Sequence, residues 1–343
     1  MKVSALFTVC RVEKLMGCLT VLAAFALGAT PTLRWNPAST NLWDSTSLTW
    51  LDADSNPVAW QPGAEAQFTG AGGIVNVAAD MTVSNITFTA NGYTLLGAGR
   101  LAVEGTLAAA VATTNSLGVE IVTAGGLAKT GPGALALARC AGAVAVQEGA
   151  LLVSGSLFTD ADLSVASGAS VVTLGDPDTA SNLILNPGFE LPAMGSGSWN
   201  YVSAGNVISN WTVTALPMHI GRQNTANVTG YNNPWNSIGA SPEGNHMLIM
   251  QYNGMIAQTV TVPADGLYSI AFSHLLRSGY PDNQVYVTLD SMPLASFLNR
   301  SVQFSPGRYA SAALWLKAGS HTLGIGGEGG WNDRATMVDA VCF

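Results

Sequence analysis

Short apolar runs alternate with glycine-containing turns along most of the chain. No stretch keeps the 3.6-residue period of an amphipathic helix, so the pattern predicts an all-β protein. Between residues 61 and 180 the runs are brief and recur at a spacing of roughly ten residues. They occupy 74–77, 83–89, 93–96, 101–103, 118–122, 134–137, 144–146, 151–153 and 171–174.

From residue 181 onward the apolar runs are longer and alternate with polar residues. We predict strands at 247–250, 255–262, 267–272, 285–289, 312–316, 321–325 and 336–341. Alternation such as Val285-Tyr286-Val287-Thr288-Leu289 turns one face to a core and the other to solvent. About 160 residues with this many strands suit a jelly-roll β-sandwich.

The aromatic residues divide the chain at the same place. Five of the nine Trp and seven of the eight Tyr lie after residue 180. In the first half, each short unit needs its neighbours to bury its apolar face, which is typical of a solenoid. We therefore predict two domains, a β-helix-like region at 35–175 and a jelly roll at 181–343.

Composition narrows the range of partners. Only 10% of the 343 residues are charged, and the formal net charge is −8. Nucleic acid and anionic membrane surfaces both require clustered Lys and Arg, so neither is an expected partner.

Residues 1–29 have the pattern of a secretory signal peptide. Lys2, Arg11 and Lys14 precede an apolar run at 15–27, which is followed by the small residues Gly28 and Ala29. That run is shorter than the roughly 20 residues of a permanent transmembrane helix. We expect a secreted or cell-surface protein.

Two cysteines remain after the leader. Cys140 and Cys342 lie one in each half of the chain. We expect two buried thiols; a disulfide between the halves is the alternative.

A glycine-rich motif in the first half resembles a known family. Gly-Gly-Leu-Ala-Lys-Thr-Gly-Pro-Gly-Ala-Leu-Ala-Leu at 125–137, followed by Val-Gln-Glu-Gly-Ala-Leu-Leu-Val at 146–153, is similar to the autotransporter-associated β-strand repeat. The resemblance implies a bacterial surface protein with a right-handed β-helix. One clear copy of the repeat predicts a short stalk.

The order of landmarks in the second half resembles the galactose-binding-like jelly rolls that serve as carbohydrate-binding modules. These landmarks are 182–190, 208–211, 242–246 and 338–341. The resemblance implies an opening strand at 182–190, a closing strand at 338–341, and a structural Ca²⁺ near Glu190 and Asp339. The alternative for these two carboxylates is hydrogen bonding to loop amides.

Three segments of the second half offer the side chains that bind sugars. Aromatic rings cover the C–H faces of a sugar, and amide or carboxylate groups bond its hydroxyls. Trp211 and Trp315 lie inside strand-like runs, so we assign them to packing. The candidate ligand-binding residues are Trp199 and Tyr201, then Tyr231, Asn233 and Trp235, and finally Trp331 and Asp333.

No catalytic motif stands out. His219, His246, His274 and His321 are well separated, and none forms a zinc-binding pair. The acids at 243, 282, 328 and 333 have no spacing that sets the geometry of a glycosidase.

The sequence therefore predicts an exported, non-catalytic protein that captures a glycan. A structural or adhesive protein, whose jelly roll binds protein or caps the β-helix, is the second hypothesis; its loop aromatics would pack inward. A polysaccharide-active enzyme is the third.

Overall fold

The computed structural model describes residues 30–154, 162–174, 181–202, 207–215, 219–226, 240–277, 283–299, 306–328 and 334–343. Strands dominate these residues and no α-helix occurs among them, which confirms the predicted all-β class. None of the described segments is a long apolar helix able to cross a bilayer. The predicted signal peptide at 1–29 lies outside the described residues.

The first part of the chain contains eighteen short strands among its described residues. They are β1 (Thr32–Trp35), β2 (Leu42–Trp43), β3 (Trp50–Leu51), β4 (Pro57–Val58), β5 (Glu65–Phe68), β6 (Ile74–Val77), β7 (Met81–Val83), β8 (Ile86–Phe88), β9 (Thr94–Leu96), β10 (Leu101–Val103), β11 (Thr106–Ala109), β12 (Thr114–Val122), β13 (Leu127–Thr130), β14 (Ala134–Ala141), β15 (Val144–Val146), β16 (Ala150–Ser154), β17 (Leu163–Val165) and β18 (Ser170–Leu174).

These strands form a β-solenoid. The strands form two sheets, ordered β17-β15-β13-β11-β8-β5-β1-β3-β4 and β18-β16-β14-β12-β9-β6-β2. In addition, β7 pairs with β10, and β10 pairs with β12 of the second sheet. Neighbouring turns pair in parallel, as where Leu107 lies beside Ile86. Because every inward residue of one turn stacks on those of the next, the solenoid builds one continuous core.

Tryptophans fill the first turns of that core. Trp43 and Trp50 are fully buried, and their ring centroids lie 4.8 Å apart. Trp60 packs 5.0 Å from Trp43, and the stacked pair Phe68 and Phe88 carries the aromatic column into the next turns. The early tryptophan cluster is therefore core packing.

The lysine of the Lys-Thr-Gly motif lies inside the solenoid. Lys129 is 1% exposed, and its Nζ donates to the carbonyl oxygens of Thr130 at 3.0 Å, Gly131 at 2.7 Å and Glu148 at 2.8 Å. Burial lowers the pKa of Lys129. Gly149 has a φ of 68°, and a Cβ there would stand 2.6 Å from the Gly131 oxygen. The motif thus links two successive turns.

The second part contains thirteen strands among its described residues. They are β19 (Trp199–Tyr201), β20 (Thr212–Ala215), β21 (Ile220–Asn224), β22 (His246–Gln251), β23 (Met255–Val262), β24 (Gly266–Tyr268), β25 (Ala271–Leu276), β26 (Asn283–Leu289), β27 (Met292–Asn299), β28 (Gly307–Ala310), β29 (Leu314–Leu316), β30 (Gly319–Glu328) and β31 (Ala335–Cys342).

Two antiparallel sheets form the sandwich of the second part. The six-stranded sheet has the order β19-β21-β22-β31-β25-β28, and the five-stranded sheet has the order β20-β23-β30-β26-β27. Leu248 and Val338 of the first sheet and Val285 and Ile325 of the second belong to one buried cluster. Trp211, 6% exposed, joins this core as predicted.

The opening strand predicted at 182–190 is wrong, whereas β31 confirms the closing strand. The segment is irregular, and Asn186 and Phe189 have φ values of 54° and 56°. The Asn182 side chain donates to the Val341 carbonyl at 2.8 Å and accepts from the Phe343 amide at 3.0 Å. These side-chain bonds and two backbone bonds, from the Leu183 amide to the Phe343 carbonyl at 3.0 Å and from the Val341 amide to the Pro187 carbonyl at 3.2 Å, hold the segment beside β31 without a regular strand ladder.

The sandwich packs on the flank of the solenoid. The Trp315 amide donates to Ser116 Oγ at 2.9 Å, and the Trp315 carbonyl accepts from Thr94 Oγ1 at 2.5 Å. Leu96 of the solenoid belongs to the buried cluster of the sandwich. A Cβ on Gly92 would stand 2.6 Å from the Trp315 indole nitrogen, so this close approach requires glycine. Trp315 is therefore a junction residue, with a half-buried ring.

Cys140 and Cys342 are both buried and form no disulfide. Burial raises the pKa of the Cys140 thiol to about 11. The expectation of two buried thiols is confirmed, and the bridge between the halves is excluded.

Candidate functional site

The face of the six-stranded sheet that points away from the sandwich core carries aromatic, amide and apolar side chains together, and among its described residues only the Trp199 edge is exposed. In the register of its strands, Trp199 lies opposite Gln223, and Gln223 lies opposite Met247. Residues opposite each other share one face of the sheet, with Cβ atoms about 5 Å apart. The Trp199 face, as we call it, also includes Tyr201 and Gln251.

Trp199 and Tyr201 form an aromatic pair at the edge of the sheet. Their ring centroids lie 5.3 Å apart with the ring planes at 84°. The Trp199 side chain is 39% exposed. The Tyr201 hydroxyl donates to Gln251 Oε1, which fixes the phenol beside the apolar cluster of this face. An exposed indole held by a fixed phenol can cover the C–H face of a sugar.

Gln223 is the unusual residue of this face. It is 0% exposed, and neither its Nε2 nor its Oε1 has a hydrogen-bonding partner in the structure. Leaving a buried amide group unpaired costs about 1–3 kcal/mol for each donor or acceptor. An amide beside an exposed indole can both donate to and accept from a sugar hydroxyl.

Sequence reasoning placed the tryptophan but missed the glutamine. The signal was present in β21, where Arg222, Gln223 and Asn224 follow one another in a strand that is buried throughout. Three consecutive polar residues at buried positions are unusual, since such residues are mostly exposed.

The structure describes two of the seven predicted ligand-binding residues. It brings Trp199 and Tyr201 together on one edge strand. Tyr231, Asn233, Trp235, Trp331 and Asp333 lie outside the described residues, and their roles stay predictions.

Glu190 and Asp339 both bond to the loop that precedes β22. Glu190 Oε1 accepts from the amides of Asn245 at 2.6 Å and His246 at 2.8 Å, and Oε2 bonds His246 Nδ1. Asp339 is 0% exposed, and its Oδ2 accepts from the Glu243 amide at 2.7 Å. The loop-amide interpretation of these carboxylates is the one that the structure shows.

The environment shifts the pKa values of three neighbouring carboxyls in different directions. Burial alone would raise the pKa of Glu190, but the amide bonds from His246 and Asn245 bring it below its usual value. Burial, together with the charges of Glu243 and Glu190, raises the pKa of Asp339 to about 8. The pKa of Glu243 is raised by burial and by Glu190.

Within the described ranges, no three His, Cys, Asp or Glu side chains are arranged to hold a metal ion. Ca²⁺ binding near Glu190 and Asp339 stays a prediction.

No protein-family model matches the sequence, and no curated protein matches it. Solved structures resemble the chain only weakly. A family-61 carbohydrate-binding module, TmCBM61, in complex with β-1,4-galactotriose is 14% identical with a TM-score of 0.34; the match covers 47% of this chain and 96% of that one.

Two further solved structures belong to enzymes. A Stig cyclase, Fisc, from Fischerella sp. TAU is 15% identical with a TM-score of 0.33, over 47% of this chain and 94% of that one. A cycloisomaltooligosaccharide glucanotransferase from Paenibacillus sp. is 17% identical with a TM-score of 0.28, over 50% of this chain and 20% of that one. None of these likenesses assigns a function to this chain.

Proposed function

We propose that the protein is an exported, non-catalytic glycan-binding protein of the bacterial surface or surroundings, and that the Trp199 face takes part in binding. The indole stacks on the C–H face of a sugar unit. Gln223 is 0% exposed, so its amide bonds a hydroxyl of that unit only after the groups that cover it move aside. Export is supported by the signal-peptide pattern at 1–29.

The unpaired Gln223 amide is the observation that carries this proposal. A fully buried amide without a partner is unfavourable for the fold alone, whereas a sugar hydroxyl would satisfy both of its atoms. Its position opposite Trp199 places that hydrogen-bonding group next to an exposed ring. Amide and ring together match the two surfaces that a sugar presents.

The exposure of Trp199 also favours glycan binding over the structural or adhesive hypothesis. If the sandwich served only to pack against the solenoid, its loop and edge aromatics should turn inward. Trp315 does so at the junction, but Trp199, on an edge strand of the six-stranded sheet, leaves 39% of its surface in solvent.

A structural Ca²⁺ near Glu190 and Asp339 is a further part of the proposal. What supports it is the proximity of three carboxyls: burial first, and then the charges of Glu243 and Glu190, raise the pKa of Asp339 to about 8. A divalent cation would favour the ionised form of these groups.

The test is a binding screen of the purified chain on soluble glycans and insoluble polysaccharides. We expect wild-type protein to bind at least one glycan, and Trp199→Ala to weaken that binding about five- to thirtyfold, given stacking of about 1–2 kcal/mol. Leu48→Ala is the control, because Leu48 is an exposed apolar residue of the solenoid. A folded protein that binds no glycan, or one that binds equally well without Trp199, would contradict the assignment.

A further inference from the structure

The last described turn of the solenoid is open on its outer side. This turn consists of β17 and β18, and each strand pairs with the preceding turn, β17 with β15 and β18 with β16. Each also stands at the end of its sheet, and no other described strand continues either ladder. The two sheets of the solenoid therefore end side by side in two unpaired strand edges.

The apolar core of the solenoid is uncovered at this turn. In the parallel register Leu163 lies beside Val144, and Val165 lies beside Val146. The two residues of the preceding turn are each 1% exposed, whereas Leu163 is 40% and Val165 is 47% exposed. Both side chains thus stack on the core on one side and face solvent on the other.

The first turns of the solenoid are closed, in contrast to the last. Trp43 and Trp50 are 0% exposed, and the antiparallel pair of β3 and β4 ends the first sheet. The edge strand β4 includes Pro57, which has no amide hydrogen to donate to a further strand. The closed end of one molecule is a poor match for the open end of another, which disfavours a head-to-tail fibre.

The backbone of β17 directs donors and acceptors to the open side. The Asp162 carbonyl and the Ala166 amide bond to the strand before, β15, at 2.9 Å and 2.8 Å. Alternate residues of a strand point their backbone groups to opposite edges. The amides and carbonyls of Leu163 and Val165 therefore point away from β15, where another strand could pair with them.

Charge does not oppose a contact between two copies at this end. Residues 163–174 contain no Lys, Arg, Asp or Glu, although the chain carries a formal net charge of −8. Like charges placed opposite each other are what most strongly excludes a wrong partner. Two identical acidic molecules can meet here without such pairs.

The size of the open end fits a weak dimer. A strand of five residues is about 17 Å long, and packed sheets lie about 10 Å apart, so the end with its side chains measures roughly 17 by 20 Å. Two such ends in contact would bury about 700 Å² in total. Stable interfaces begin at about 1,200 Å², and smaller ones belong to transient complexes. Association should therefore depend on concentration.

We propose that two copies of this chain pair end to end through the open turn, related by a two-fold axis. The axis reverses the strand direction, so β17 of one copy meets β17 of the other in antiparallel pairing, and β18 meets β18 in the same way. Each edge strand extends the sheet of the other copy. Because the contact uses the same patch on both molecules, it closes at the dimer. The dimer does not depend on glycan binding.

The test is sedimentation velocity of the full chain over a dilution series from about 500 to 1 µM, a range that covers weak association. We expect monomer at the low end of the series, dimer at the high end and no larger species. A chain that stays monomeric throughout would overturn the proposal and leave the open edge to a strand of another protein. Growth beyond the dimer would overturn the two-fold arrangement.

Variants locate the contact. Val165→Lys sets like charges across the axis and should raise the dissociation constant of the dimer at least about tenfold. Leu163→Pro removes an amide that points away from β15, at the first position of an edge strand, where proline is tolerated. It should weaken the dimer as well. Val111→Lys is the control, because Val111 is a 48% exposed apolar residue elsewhere on the solenoid.

The melting temperature of each variant, followed by circular dichroism, separates lost association from lost folding. If Val165→Lys does not fold, Leu163→Pro decides the question. A dimer that survives the change in a folded variant, or that Val111→Lys weakens to the same extent, would contradict pairing through the open turn.

Discussion

Replacing Gln223 with leucine should make the protein more stable. The structure leaves both polar atoms of this fully buried amide without partners, while Met247 opposite it is apolar. Removing one unpaired buried donor and one unpaired acceptor should recover about 1–3 kcal/mol each. The change in side-chain shape at a packed site costs on the order of 1 kcal/mol. A net gain of about 1–5 kcal/mol in the free energy of unfolding follows.

Urea denaturation at pH 7.5 measures this change, and Gln251→Leu is the matched control. Gln251 is also buried on the Trp199 face, but it accepts a hydrogen bond from the Tyr201 hydroxyl. Its replacement should destabilise the protein by about 1 kcal/mol. If Gln223→Leu is as destabilising as Gln251→Leu, the unpaired amide serves the fold and the reasoning fails. If the Gln223→Leu variant is instead more stable than wild type and no longer binds glycan, the amide serves the ligand.

Three other changes test the fold and the proposed cation. Lys129→Met should lower the free energy of unfolding by about 2–4 kcal/mol in urea, because three carbonyl oxygens lose their donor; a loss no larger than for the exposed Lys317→Met would contradict this. Because burial lowers the pKa of His274, the unfolded chain takes up its proton first, so stability falls as the pH drops below about 6.5. His274→Gln should flatten that slope, and an unchanged slope would refute the assignment. If Ca²⁺ binds, chelator should lower the melting temperature of wild type, because Ca²⁺ at 100 times its dissociation constant stabilises the folded state by about 2.7 kcal/mol. It should leave Glu190→Gln unchanged; no effect on wild type would leave only the loop-amide role.

The repeated strands of the solenoid were predictable because the sequence pattern that encodes each turn is local. Each turn repeats a short apolar run and a glycine, as at 144–146 and 150–154, and both runs are strands in the structure. The repeat motif also marked Lys129, although its three carbonyl contacts depend on the next turn of the ladder. A periodic pattern predicts periodic structure without knowledge of distant contacts.

The irregular segment at 182–190 was beyond such reasoning. Its apolar run is strand-like, but Asn182 bonds the backbone at the far end of the chain, and Asn186 and Phe189 take positive φ values. Contacts across about 160 residues decide its conformation. Local propensity is a weak guide where tertiary bonds compete with it.

The candidate sites were predictable only in part for the same reason. Trp199 and Tyr201 stood out as aromatics in a polar loop-like segment. Gln223 could not be predicted as a site residue, because only the antiparallel register of β19 and β21 places it opposite Trp199.

The most direct measurement is a crystal structure of the full chain with the glycan that binds best in the screen. The account predicts a sugar ring within about 4 Å of the Trp199 indole, with a hydroxyl bonded to the Gln223 amide. A sugar bound elsewhere, with Trp199 bare and Gln223 still unpaired, would contradict the central claim.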